Sequence, residues 1–342
     1  MTGYTSTALR LKLPVGDFNH VQCRVPIKSQ ETRYGRQVLE NSLADLPQKT
    51  PGSQTLWGAE AEDFTLLFHE FFGFRENPFS NTPDPGFFYM SRNHKEALLS
   101  MLFGVKQRRG FIVVTGEIGA GKTTLVRHFL QQLPQDLKTA VILNPKISTT
   151  HLLSSVARDF GIPNPGKTRR SIYEGLSKFL LQGMQHDQNA CLIIDESQCL
   201  NVKVLEEIRL LSNLETAKQK LIQIVLVGQP EMREVLMQPS LTQLRQRIGV
   251  YVHLNGLSRD DTSAYIEHRL QQVGDGTVKI LFESSVIRKI HEISRGIPRL
   301  INALCDRILM SAFAQQTYAI HDSVAATAFE ELAFICAEAA KN

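Results

Sequence analysis

The run Gly110-Phe111-Ile112-Val113-Val114-Thr115-Gly116-Glu117-Ile118-Gly119-Ala120-Gly121-Lys122-Thr123-Thr124 decides the fold. Its first half is short, β-branched and uncharged, as a parallel strand buried on both faces must be. Its second half matches G-x-x-x-x-G-K-[ST], and a helical pattern from Thr123 to Leu133 follows at once. Strand, glycine-rich turn and helix in this order form the context in which such a turn cradles phosphate. The glycines let successive backbone N–H groups turn toward one anion, and the following helix points its positive end at the same place. Gly116, Glu117, Gly119, Ala120, Gly121, Lys122, Thr123 and Thr124 are therefore the expected nucleotide contacts. Lys122 is placed to reach the β- and γ-phosphates of ATP, and the Thr123 hydroxyl to bind Mg²⁺.

Working outward, four further apolar runs predict strands: Ala140–Leu143, Cys191–Ile194, Ile222–Val227 and the less apolar Val250–Leu254. Helical patterns separate them, including His151–Phe160 and Ile172–Met184, and another precedes the first strand at Arg92–Lys106. Strand-helix alternation implies an α/β fold, a parallel five-stranded sheet between helices. After Leu257 the strand signals stop. Helices are predicted at about 259–273, 284–294, 299–315 and 322–338, the first opened by Ser258 with a carboxylate three residues on. The expected organisation is an ill-defined extension over 1–68, an α/β core over 69–256 and a small all-helical lid over 257–342. The extension carries scattered prolines and the turn-rich stretch Leu46–Ser53.

Polar residues at the strand ends supply candidate chemistry, since open α/β sheets bind ligands there. Asp195 and Glu196 end an apolar strand. Asp195 is placed to hold Mg²⁺ through water, and Glu196 to orient or deprotonate an attacking water. Asn144 ends the second strand and can hydrogen-bond Glu196; Gln229 follows the fourth and can touch the γ-phosphate or the water. Each also fits a simple loop cap. Arg247 enters the fifth strand, where an arginine can reach a neighbouring subunit's γ-phosphate. Arg245 is its rival, and the bland reading of both is a surface cation near a helix C-terminus. Arg299, in Gly296-Ile297-Pro298-Arg299, can return from the lid to the phosphates or form an interdomain salt bridge.

These residues resemble those of AAA+ ATPases of the P-loop class, and more narrowly of the ExeA/GspA family of secretion-associated ATPases. The similarity covers about residues 70–335. It includes Phe72–Phe79, Thr82–Pro85, Leu143–Pro145, Leu210–Thr216, Val227–Glu231, Leu244–Ile248 and Gly296–Asn302. The resemblance implies ATP and Mg²⁺ as cofactors and self-assembly into a ring or filament. It makes Gln229 look like a sensor, Asn144 like a switch for the glutamate, Arg247 like the finger and Arg299 like the lid sensor. It also implies a protein partner in an envelope secretion or pilus system. Longer members resemble chains with a membrane helix and a peptidoglycan-binding domain after the lid; this sequence ends at Asn342, which counts against a direct cell-wall role. The fold also resembles transposon ATPases of the TniB/TnsC kind, so DNA is a possible partner. Two basic clusters, Lys106–Arg109 and Lys167–Arg170, bear on that alternative, although they lack aromatic neighbours for base stacking.

Bulk properties agree. The sequence has 342 residues, 42% of them hydrophobic, and 38 basic against 34 acidic residues leave a net charge of only +4. That balance does not demand nucleic acid. The five cysteines form no C-x-x-C pair and suit a reducing compartment. No secretion signal opens the sequence, and no apolar stretch approaches the ~20 residues of a membrane helix. The expected location is the cytoplasm, with peripheral attachment at the inner membrane possible.

Overall fold

In the computed structural model the strand of the opening stretch, β1 (Phe111–Gly116), lies in the middle of a sheet of order β2-β3-β4-β1-β5. The structure describes residues 58–339 apart from 82–84, 144, 146–147, 187, 217–218, 275 and 277–278. The other strands are β2 (Lys138–Ile142), β3 (Ala190–Ile194), β4 (Ile222–Gly228) and β5 (Ile248–Leu254), and all pairings are parallel.

Every side chain of β1, β3 and β4 is buried. Strand alternation sends them to two cores. Phe111, Val113, Leu192, Ile194, Ile224 and Leu226 pack on one face with Leu152, Leu176 and Ile208. Ile112, Val114, Cys191, Ile193, Val225 and Val227 pack on the other with Met101, Leu125 and Phe129. Cys191 is a core thiol, and burial pushes its pKa up to about 12.

The helices between strands follow the same logic. Upstream of β1, Ser91 caps the helix Arg92–Lys106 by accepting from the His94 N–H, and Ala97, Leu98 and Met101 form its buried face. Thr168 and Ser171 make a reciprocal capping box for Arg169–Gln185. Two further helices, Val202–Leu211 and Met232–Met237, follow β3 and β4.

Beyond Leu257 the chain forms a third core with helices Arg259–Val273, Ser284–Ser294, Pro298–Ala314 and Asp322–Ala339. This lid is not purely helical: Leu281–Phe282 and Ala319–Ile320 pair as a short parallel ladder, β6 and β7. A helix at Gly58–Phe72 also crosses the expected boundary at 68. Its Phe68 and Phe72 are buried among lid residues, with Phe68 edge-on to Phe313 at 5.7 Å between ring centroids. These rings therefore belong with the lid.

Core and lid meet where Gly256–Leu257 runs against Arg295–Gly296. The Leu257 N–H donates to the Gly296 carbonyl at 2.7 Å. Gly296 has φ +72°, and a β-carbon there would collide with the Leu257 backbone. Gly296→Ala combines that collision with left-handed strain, so it should lower stability by about 2 kcal/mol or more in urea unfolding. Wild-type stability in this variant would show that the junction is looser than described.

Candidate functional site

The sheet's topology brings three strand ends together. The phosphate-loop sequence follows β1, Asp195 and Glu196 follow β3, and Gln229 follows β4. With the lid they enclose a cavity of about 400 Å³, lined by Lys122, Thr123, Thr124, Glu196, Gln229 and Arg299 among others.

The loop takes the shape its glycines allow. Gly119 and Gly121 have φ of +83° and +90°, and Lys122 begins the following helix, which runs to Gln132. Lys122 Nζ donates to the Gly116 carbonyl at 2.7 Å and to the Glu117 carbonyl at 2.9 Å. Its desolvation pulls the ammonium pKa below the ordinary lysine value, despite opposing fields from Glu196, Asp195, Glu117 and Glu231.

The Thr123 hydroxyl donates to Asp195 Oδ2 at 3.0 Å, while Asp195 Oδ1 accepts the Glu196 N–H at 2.8 Å. One hydroxyl and one buried carboxylate at a phosphate loop suit Mg²⁺, which favours few protein oxygens and completes its shell with phosphate and water. Among the described residues no cluster of three or more His, Cys, Asp or Glu forms a rival metal site.

Glu196 adopts a left-handed backbone at φ +51°, an uncommon conformation that is enriched at functional turns. Its Oε2 accepts from Gln229 Nε2 at 3.2 Å and from Gln198 Nε2 at 2.6 Å. Gln198 Oε1 in turn accepts the Gln229 N–H at 3.1 Å. Gln229 thus reaches Glu196, and Gln198, which no sequence motif marks, joins them.

Arg299 also arrives: its N–H donates to the Gly119 carbonyl at 3.4 Å, and its side chain lines the cavity. Arg247 and Arg245 do not line it. Arg247 Nη1 donates to Ser212 Oγ at 3.1 Å, and Arg245 Nη1 to the Leu236 carbonyl at 3.2 Å. Asn144 lies outside the described residues.

On the lid side, Tyr265 and Arg269 also line the cavity, with no sequence motif to mark them. Tyr265 OH donates to Asn302 Oδ1 at 2.7 Å, and Asn302 Nδ2 to Asn81 Oδ1 at 3.3 Å. The buried Arg269 guanidinium lies 4.3 Å from the Phe87 ring centroid and donates to the Pro78 and Ser80 carbonyls. His94, beneath the phosphate loop, had one legible signal. It is the polar member of the stripe 94, 97, 98, 101.

Comparisons with known proteins agree with this geometry. A family described as "AAA domain" matches residues 105–236. General secretion pathway protein A of Aeromonas hydrophila is 41% identical over 266 residues, which make up 77% of this chain and 48% of that protein. The chain therefore spans about half the length of the curated relative it matches. Among solved structures, Cdc6p of Pyrobaculum aerophilum superposes with a TM-score of 0.54 at 17% identity, covering 75% of this chain and 70% of that one. The ORC2 protein of Aeropyrum pernix gives 0.52 at 16%, covering 75% and 72%. At these identities the two structures share the fold alone.

The buried Lys122 yields a prediction for the free protein. Its lowered pKa means that the folded chain holds this proton less firmly than the unfolded chain. The resulting cost is present at pH 7 and shrinks as pH rises toward the ordinary lysine value. Lys122→Met should therefore melt above wild type at pH 7 without ligand, and the gap should narrow by about pH 10. A lower melting temperature for the variant at every pH would contradict this. Fold, phosphate loop and relatives converge: the chain carries an AAA domain in an AAA+ P-loop NTPase fold and is homologous to general secretion pathway protein A over 77% of its own length.

Proposed function

We propose that the chain binds Mg²⁺–ATP between core and lid and hydrolyses it, working as an oligomer on a protein partner in an envelope secretion or pilus system. The observation that carries the hydrolytic reading is Glu196, anchored through one carboxylate oxygen by Gln198 and Gln229 at the mouth of the phosphate loop. A carboxylate fixed at one oxygen presents the other in a defined direction, as a base for water requires.

The residues divide the work. Lys122 leaves the Gly116 and Glu117 carbonyls for phosphate oxygens. Thr123 and Asp195 would hold the metal, which would supply positive charge to offset that of the phosphates. Glu196 accepts a proton from the attacking water. Arg299 brings a lid cation to the phosphates and couples lid position to nucleotide. The relationship to general secretion pathway protein A supports the pathway. On this reading the chain works in the cytoplasm, at the inner face of the envelope. Among the described residues no helix is long and apolar enough to cross a membrane.

The DNA alternative has less support. Arg169 is paired with Glu207 and Arg170 with Glu174, so part of that basic cluster is already neutralised within the chain.

Glu196→Gln keeps the size of the side chain and removes the base. It should bind Mg²⁺–ATP normally while kcat falls by about 100-fold or more, a loss typical of removing a general base. Wild-type turnover in steady-state assays would remove Glu196 from the reaction.

The shared site makes a separate prediction. Arg247 acts across a subunit interface, so ATPase activity per chain should rise with protein concentration. Mixing Arg247→Ala with Lys122→Ala chains should restore part of the activity, because one class of interface keeps both groups. Concentration-independent turnover with no rescue would leave Arg247 without a role in a neighbour's site.

A further inference from the structure

His94 is a buried titratable side chain that the hydrolytic scheme does not use. It is 3% exposed and belongs to the helix before β1, yet it lies against the phosphate loop. Its Nε2 is 3.0 Å from the Ala120 carbonyl oxygen, and its Nδ1 is 2.7 Å from Ser91 Oγ. The Phe88 ring closes over it edge-on, with centroids 5.3 Å apart.

These contacts fix the tautomer. A carbonyl has no proton to give, so Nε2 carries the hydrogen and donates to Ala120. Nδ1 then accepts the Ser91 hydroxyl, and Ser91 Oγ accepts the His94 backbone N–H at 3.3 Å. Desolvation pulls the imidazole pKa below its ordinary value, which keeps the ring neutral and this arrangement in place at pH 7.

The geometry points to His94 as a positioning residue for the phosphate loop: by holding the Ala120 carbonyl, it turns the Gly121 N–H toward the bound phosphates. The carbonyl and N–H of one trans peptide point in opposite directions, so anchoring the first aims the second. Gly121 has a left-handed conformation, and a β-carbon on it would lie 3.0 Å from His94 Nε2, so the ring packs directly against this peptide. The anchor also joins loop to lid. The Ser91 N–H donates to the Tyr89 carbonyl at 3.0 Å, and the Tyr89 hydroxyl to Asp261 Oδ1 in the first lid helix at 3.2 Å.

The inference rests on the nucleotide reading only for its ligand. Calorimetric titration of the full chain with Mg²⁺–ATP tests it. His94→Phe fills the space without a donor and should weaken binding about tenfold, the worth of one well-formed hydrogen bond. His94→Gln supplies an amide N–H and should stay within about threefold of wild type. Wild-type affinity in His94→Phe, or an equal loss in His94→Gln, would overturn the assignment.

If His94→Phe fails to fold, ¹⁵N NMR of the imidazole rings in the wild-type chain decides instead. The Nε2–H tautomer at pH 7 is expected, and an Nδ1–H or protonated ring would overturn it. Failure of the wild-type chain to bind Mg²⁺–ATP would instead sink the nucleotide reading, while the ring's tautomer would still report on the anchor.

Discussion

A buried ammonium group rests on the carbonyls of its own loop. Lys122 Nζ, with hydrogen bonds to Gly116 and Glu117, occupies a position that burial makes costly and that an anion would improve. The surrounding structure is arranged for that exchange. β1 ends at the loop, the helix from Lys122 aims its positive end at the same point, and Thr123 meets the carboxylate of Asp195. Two carboxylates beside a single buried lysine would be an awkward constellation without a ligand. With phosphate and a divalent cation, the charges can be matched.

The lid matters because the cavity is not complete without it. Backbone contact between Leu257 and Gly296 sets the start of the helix that carries Arg299, and the Arg299 N–H then meets the Gly119 carbonyl. Between the Gly58–Phe72 helix and the Arg92–Lys106 helix, Ser80, Asn81 and Phe87–Tyr89 line the cavity. Arg269 grips this segment through the Pro78 and Ser80 carbonyls, and Asn81 meets Asn302. Polar contacts therefore run from the phosphate loop into the lid, through Arg299 and through the His94, Ser91 and Tyr89 chain. Such routes are what coupling requires physically, a set of contacts that ligand can favour or disfavour.

Much of this was legible in the sequence because the central strands are buried on both faces. Phe111–Val114 and Cys191–Ile194 are continuous apolar runs, Ile222–Val227 is broken only by the buried Gln223, and the phosphate loop, Glu196 and Gln229 come within a few residues of their ends. Other elements hid for identifiable reasons. The two-residue strands at 281–282 and 319–320 are too short for any alternation to register. The helix at Gly58–Phe72 exposes Phe64, Leu66 and Leu67 while burying Phe68 and Phe72, so its apolar residues surround it and blur the face. Gln198 ties its neighbour Glu196 to Gln229, 31 positions on, and His94 meets Ala120, 26 positions away; no local pattern records the longer contacts. The expectation for Arg247 rests on its place at the entry to β5. Within one chain its guanidinium meets Ser212 and the fields of Glu206 and Glu215, so a role in another copy's site leaves no mark on this structure.

The most direct measurement is thermal unfolding of the intact chain titrated with Mg²⁺–ATP. A ligand that binds only the folded state raises the melting temperature progressively with its concentration. The account predicts such a rise for wild type and its loss in Lys122→Ala. An unchanged melting temperature through millimolar Mg²⁺–ATP, or a rise that survives in Lys122→Ala, would contradict the claim that this loop is where nucleotide binds.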